Sequence, residues 1–248
     1  TALLNLENGD KLFDTPFSRG EIGIPINGLV WMGSFDEMNK RIEDKLSEGF
    51  RCVKLKIGAI DFDSEMTLIK SIRKRYSKSA IELRVDANGG FTAGDAMSRL
   101  EELSKYDIHS IEQPIRQKQW HEMSYLCANT PVPIALDEEL IGVNIPKMKD
   151  DLLDYIKPQY IVLKPTLHGG MKGTREWIEK SRLRNVGSWI TSALESSVGL
   201  SAIAQLTSDI YGNDITMAQG LGTGALFADN LPSQTEIRGD KLWMTGKK

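Results

Sequence analysis

A chain of 248 residues is long enough for one α/β barrel of about 250 residues or for two smaller domains, so length leaves the architecture open. Its 31 basic and 34 acidic residues give a formal charge of −3, which carries neither a nucleic-acid footprint nor a polybasic membrane contact. Two cysteines, Cys52 and Cys127, have no paired spacing, which excludes a disulfide scaffold and a cysteine zinc site. No apolar run approaches the roughly 20 residues of a membrane span, and TALLNLENGDK lacks the regions of a signal peptide. The expectation is a soluble cytoplasmic protein.

From residue 26 onward, short β-branched runs alternate with amphipathic segments. INGLVWM comes first, followed by Ser34 and Glu37 at capping-box spacing and by Phe35, Met38, Ile42 and Leu46 on one helical face. In RCVKLKI the period of two puts Cys52, Lys54 and Lys56 on one face and turns Val53, Leu55 and Ile57 toward the helices. IELRVD ends on Asp86, and Thr92 with Asp95 repeats the capping pattern. DIHSIE ends on Glu112, PVPIALD on Asp137 and QYIVLK on Lys164; GSWITS and DITMAQG complete eight runs. Eight strands interleaved with helices predict a closed parallel barrel. The competing doubly wound sheet lacks its GxGxxG turn after the first strand.

Lys56, Asp86, Glu112, Asp137 and Lys164 recur at one strand-plus-helix interval, and barrels of this kind gather such strand ends at the active-site mouth. Charged residues there carry a desolvation cost with no packing gain. Two ammonium groups on one inward face, Lys54 and Lys56, are expected to depress a lysine pKa toward that of a general base; two solvated lysines on a half-exposed strand are the plainer reading. Three crowded carboxylates repel unless a cation joins them, and an oxygen-only set suits magnesium or manganese. Surface ion pairs are the plainer reading for any one of them. Glu138 and Glu139 follow Asp137, and alternation points Glu138 elsewhere, behind the ligands. Lys164, on the sixth strand of eight, faces Lys56 across the cavity, and a cation between two lysines suits enolate chemistry.

These residues resemble the enolase superfamily, in its muconate-lactonising subgroup. VKLKIG, LRVDANGGF, IEQPI, ALDEEL, IVLKPTLHGG and TSALESSVGL carry the resemblance in order over nearly the whole chain. It implies a TIM-like (β/α)7β barrel over residues 26–227, with Mg2+ (Mn2+ as substitute) on Asp86, Glu112 and Asp137. Lys56 would be the base, with Lys54 beside it. The superfamily places an α+β capping domain before the barrel. Only its last stretch is read here, in residues 1–25, and residues 228–248 are expected to pack on such a cap.

LKPTLHGG and SALESSVGL most resemble the o-succinylbenzoate synthase family, which dehydrates a cyclohexadiene carboxylate in menaquinone synthesis. There one lysine takes the α-proton and protonates the departing hydroxyl, while the opposite lysine stabilises the enediolate; Lys56 and Lys164 match these roles. The resemblance places Thr191, Gly220 and Leu221 at the succinyl arm; Asn88 in DAN either aims at the metal's surroundings or only shapes a turn. The implied partner is a small carboxylate; the oligomeric state is unknown. AQGLGTGALF lacks the Asp-x-Asp pair of dipeptide epimerases, which argues against a cationic substrate. N-acylamino acid racemisation and muconate cycloisomerisation stay open, as does a non-catalytic barrel binding a carboxylated ligand. His109 and His121 lack ligand spacing, and His168 with Gly169 and Gly170 reads as a loop.

Overall fold

The computed structural model describes residues 9, 11–58, 60–213, 215–226 and 229–245. Strands β1 (Ile24–Pro25) and β2 (Gly28–Val30) lead into helix α1 (Phe35–Ser47), and the chain then alternates. The order is β3 (Cys52–Lys56), α2 (Phe62–Arg75), β4 (Glu82–Asp86), α3 (Ala96–Ser104), β5 (Ser110–Glu112), α4 (Trp120–Asn129) and β6 (Ile134–Leu136). It continues through α5 (Pro146–Ile156), β7 (Tyr160–Leu163), α6 (Gly170–Arg182), β8 (Gly187–Ile190) and α7 (Ser197–Tyr211). A hairpin, β9 (Thr235–Arg238) and β10 (Lys241–Met244), follows.

Strands β2 to β8 form one parallel sheet in sequence order. The eighth run of the sequence closes it with isolated bridges in place of a regular strand: Gln219 pairs with Ile26 and Gly220 with Thr191, both in parallel. Asn27 N donates to Gln219 O at 3.0 Å, and Gly220 N donates to Ile190 O at 2.8 Å. The ring is therefore a (β/α)7β barrel. Asp214, which begins that run, lies outside the described residues, as do residues 1–8 and 10 and the expected boundary at 227–228. β1 and the β9–β10 hairpin make a separate antiparallel sheet in the order β1-β10-β9, so the segment that enters the barrel pairs with the hairpin that follows it.

Local chemistry sets these elements. Ser34 caps α1 in a complete capping box with Glu37, and Met38 and Ile42 turn inward, whereas Phe35 is 38% exposed. Thr92 and Asp95 make the expected reciprocal bonds, but the regular helix α3 begins only at Ala96. Val53, Leu55 and Ile57 are buried in the layer between sheet and helices, as alternation requires. Each such side chain contributes about 1.5–3 kcal/mol of transfer free energy.

Inside the ring, Ala135, Val162 and Trp189 pack as a second, smaller core. Arg84 is fully buried beneath the mouth, with its guanidinium 4.4 Å from the Trp189 ring centroid and bonded to Glu82 and to Ala218 O. This plug fills the barrel's lower half, leaving the C-terminal strand ends as the open face. Among the described residues no helix is long and apolar enough to cross a membrane.

Candidate active site

Register does most of the assembly. In the parallel pairing Lys56 lies level with Asp86, and Asp86 with Glu112, so three successive strands present charged side chains at one height. Asp137 follows β6 directly and completes the group: Asp86, Glu112 and Asp137 each offer an oxygen, all within 4.8 Å of one another and all buried. Gln113 fixes the last of these. Its Oε1 accepts from Asp137 N at 3.1 Å and Glu139 N at 3.2 Å, while its own backbone takes a positive φ of 39°.

The donor set fits a hard divalent cation. It is made of oxygens alone, and Glu112 Oε1 is a buried acceptor with no hydrogen-bond partner among the described residues. Burial, reinforced by Asp86 and Asp137, outweighs Lys54 and pushes the Glu112 carboxyl up to about 8. Burial likewise outweighs Lys164 and lifts Asp137 to about 6, with Glu138 and Asp86 adding to it. Burial also opposes ionisation of Asp86, but Lys54 and Lys56 overcome it and hold that carboxyl well below the usual range.

A pH dependence follows. Protons compete with a cation for Glu112 below about 8, so divalent affinity should fall by about tenfold per unit from pH 7 to 6. Calorimetric titration in buffers of different ionisation enthalpy checks this through the proton released. Affinity that is flat between pH 6 and 8.5 would contradict it.

Three lysines face the carboxylates. Lys54 Nζ lies 2.7 Å from Glu112 Oε2 and 3.2 Å from Asp86 Oδ2. Lys56 Nζ lies 2.7 Å from both Asp86 Oδ2 and Asn88 Oδ1, and 5.7 Å from the centroid of the Trp31 ring. Lys164 Nζ donates to both oxygens of Asp137, at 2.7 and 2.6 Å. The depression expected of the Lys54 and Lys56 pair is reversed at Lys54, and Lys164 moves the same way. Burial pulls Lys54 down, but Glu112 and Asp86 raise it overall; burial also lowers Lys164, and Asp137 more than compensates. Carboxylate contact is closer and stronger here than lysine–lysine repulsion.

These side chains line a cavity of about 230 Å³ whose wall includes Lys54, Lys56, Asp86, Asp137 and Lys164. Thr191 and Gly220 line it too, with the Thr191 hydroxyl donating to Gly220 O at 2.8 Å. Leu221 does not join them. Its side chain is fully buried and turns the other way, toward Leu200 and Leu242, because alternation sends it opposite to Gly220. Asn88, in the left-handed region at φ 44°, bridges Lys56 to Glu138: its Nδ2 donates to Glu138 Oε1 at 2.8 Å. Glu138 begins a 3-10 turn and stays near the site, whereas Glu139 is buried beneath Lys118 N and the Trp120 indole.

His168 is fully buried, and its Nδ1 accepts from Lys164 N at 2.8 Å. Burial, aided by Lys164 and Lys149, lowers its pKa to about 3, so it anchors the backbone of Lys164 as a neutral ring. Trp31 and Gln113 were not singled out by sequence reasoning. Trp31 had a readable signal, its place in the inward alternation of INGLVW; the role of Gln113 depends on a turn that no periodicity reports. Gln113→Leu should leave two buried amides unsatisfied and weaken divalent binding by about 10- to 100-fold. Titration of that variant checks the assignment, and wild-type affinity would contradict it.

The model of enolase C-terminal domain-like proteins matches residues 37–237. The chain belongs to this family. It is 54% identical over 243 residues to an o-succinylbenzoate synthase from Desulfotalea psychrophila, covering 97% of this chain and 65% of that protein. It is 28% identical over 177 residues to an L-Ala-D/L-Glu epimerase from Bacillus subtilis, covering 71% of this chain and 47% of the epimerase. The chain thus spans less than two thirds of these curated relatives.

Among solved structures, MenC from Desulfotalea psychrophila superposes with a TM-score of 0.89 at 52% identity, over 98% of this chain and 67% of that one. A muconate lactonizing enzyme superposes at 0.77 with 22% identity, over 89% of this chain and 60% of its own, which shows a shared fold.

Proposed function

We propose that this chain is the barrel of an o-succinylbenzoate synthase, converting 2-succinyl-6-hydroxy-2,4-cyclohexadiene-1-carboxylate to o-succinylbenzoate in menaquinone biosynthesis. The observation that carries the reading is a buried carboxylate triad set between Lys56 and Lys164 on opposed strands of one cavity. The identity to the Desulfotalea psychrophila enzyme supports the choice of reaction. Residues 26–227 are the catalytic unit on this reading. Residues 1–25 belong to a capping domain, and 228–248 are the segment that packs on it.

Asp86, Glu112 and Asp137 would hold Mg2+, with Mn2+ as a substitute. Bound there, the cation supplies positive charge to the substrate carboxylate and to the charge that develops beside it. Lys56, as the neutral amine, removes the α-proton. The same ammonium then returns that proton to the hydroxyl as its C–O bond breaks, so water leaves from the face the proton left and the ring becomes aromatic. Lys164 stays charged and stabilises the enediolate from the opposite side. Lys54 bridges Glu112 and Asp86 and keeps the ligands in register. Asn88 holds Lys56 in place, and Thr191 and Gly220 border the end of the cavity that takes the succinyl arm.

An epimerase acting on dipeptides is the weaker reading, because residues 218–227 carry no carboxylate to meet a substrate ammonium. The direct test is dehydration by the full-length protein with magnesium, followed by the appearance of o-succinylbenzoate. Turnover is expected only with the cation. Absence of turnover alongside tight cation binding would overturn the proposal and favour a binding barrel.

A further inference from the structure

The inward positions of the first barrel strand run Asn27, Leu29 and Trp31, and all three line the cavity. Asn27 differs from its neighbours in kind. It is 4% exposed, and among the described residues its side-chain amide makes no hydrogen bond, although its backbone N–H is engaged by Gln219 O at 3.0 Å. A primary amide brings two N–H donors and one oxygen acceptor, and here the surrounding residues leave them unmatched on the cavity wall. The amide of Asn27 is not among the buried unpaired polar atoms of the described residues, so it faces the cavity, where a ligand can meet it.

The surroundings define what it would meet. Charged residues lining the cavity come from β3 or from the ends of β4, β6 and β7, whereas the wall made by β2, the end of β8 and the closing bridges is uncharged. On that wall Ser192 and Thr223 bond to each other through their hydroxyls, and Gly220 and Gly222 leave backbone bare. A ligand anchored by one carboxylate at the triad therefore extends its other end toward neutral hydrogen-bonding groups.

We infer that Asn27 is a specificity-determining residue whose side-chain amide donates to an oxygen acceptor on the ligand's arm remote from the carboxylate triad. The identity of that arm rests on the proposed reaction: the succinyl group carries a ketone and a carboxylate, both acceptors. Leu29 and Trp31 flank it with apolar surface, and on this neutral wall the amide discriminates by its hydrogen bond more than by charge.

The test compares Asn27→Leu, which keeps the branched shape and removes the donors, with the wild type in full-length protein containing magnesium. Dissociation constants are measured calorimetrically for o-succinylbenzoate and for benzoate, which retains the ring carboxylate and lacks the arm. The thermal midpoint without either ligand is measured in parallel. The expected result is o-succinylbenzoate bound at least tenfold more weakly, benzoate changed by less than twofold, and a thermal midpoint unchanged or raised. Equal loss for both ligands, or no loss for either, would overturn the inference. Should the wild type bind neither ligand, the proposed reaction fails, and the midpoint then decides on Asn27. A lower midpoint in Asn27→Leu marks the amide as structural and overturns the inference, whereas an unchanged or higher one shows that the fold does not need the amide, as the inference requires.

Discussion

Lys56→Ala is expected to abolish dehydration and, with it, exchange of the substrate's α-proton with deuterated solvent. One amine is assigned both as acceptor of that proton and as its later donor, so the two activities should disappear together. General-base catalysis alone accounts for about 10²–10⁴-fold, and loss of the return proton adds to it. The divalent site should survive, because Asp86, Glu112 and Asp137 are untouched, and calorimetric titration of the variant separates lost chemistry from lost structure.

Lys164→Ala provides the contrast. It removes a charge and no proton carrier, so turnover should drop by about 100-fold or more, with partial recovery in Lys164→Arg. Wild-type turnover by Lys56→Ala with cation bound would contradict the mechanism at its centre.

Glu112→Gln is expected to weaken divalent binding by more than about 100-fold while leaving the fold intact. The substitution keeps the volume of a fully buried side chain and retains an oxygen for Lys54, but it removes one of the three proposed anionic ligands from a group that has no softer donor. The readout is thermal as well as catalytic. A cation bound only by the folded state raises the melting midpoint in proportion to the logarithm of its concentration over its dissociation constant. The wild type should show that rise at millimolar magnesium, and Glu112→Gln should show almost none. An equal rise in both would remove Glu112 from the ligand set.

Much of the candidate site was legible because strand geometry converts spacing into position. Charged residues ending apolar runs on β3, β4, β5, β6 and β7 had to emerge at one end of the barrel, and the parallel register places Lys56, Asp86 and Glu112 level. The alternation in RCVKLKI also sorted inward lysines from outward aliphatics. What escaped depends on tertiary contact. The positive φ angles of Asn88 and Gln113 arise where strand ends turn, and neither the Asn88 link from Lys56 to Glu138 nor the Gln113 grip on Asp137 follows from a period. The sign of the lysine shifts also failed to follow from composition, since it depends on which oxygens come within 3.2 Å.

The closing bridges at Gln219 and Gly220 give the barrel a seam. Five residue pairs hold β3 to β4, whereas one bridge joins Gln219 to Ile26 and one joins Gly220 to Thr191. Local opening begins where the fewest bonds must break. The seam divides the uncharged wall and leaves the strands that carry the carboxylates intact. The least regular strand pairing of the barrel therefore lies on its neutral side, away from the carboxylate triad.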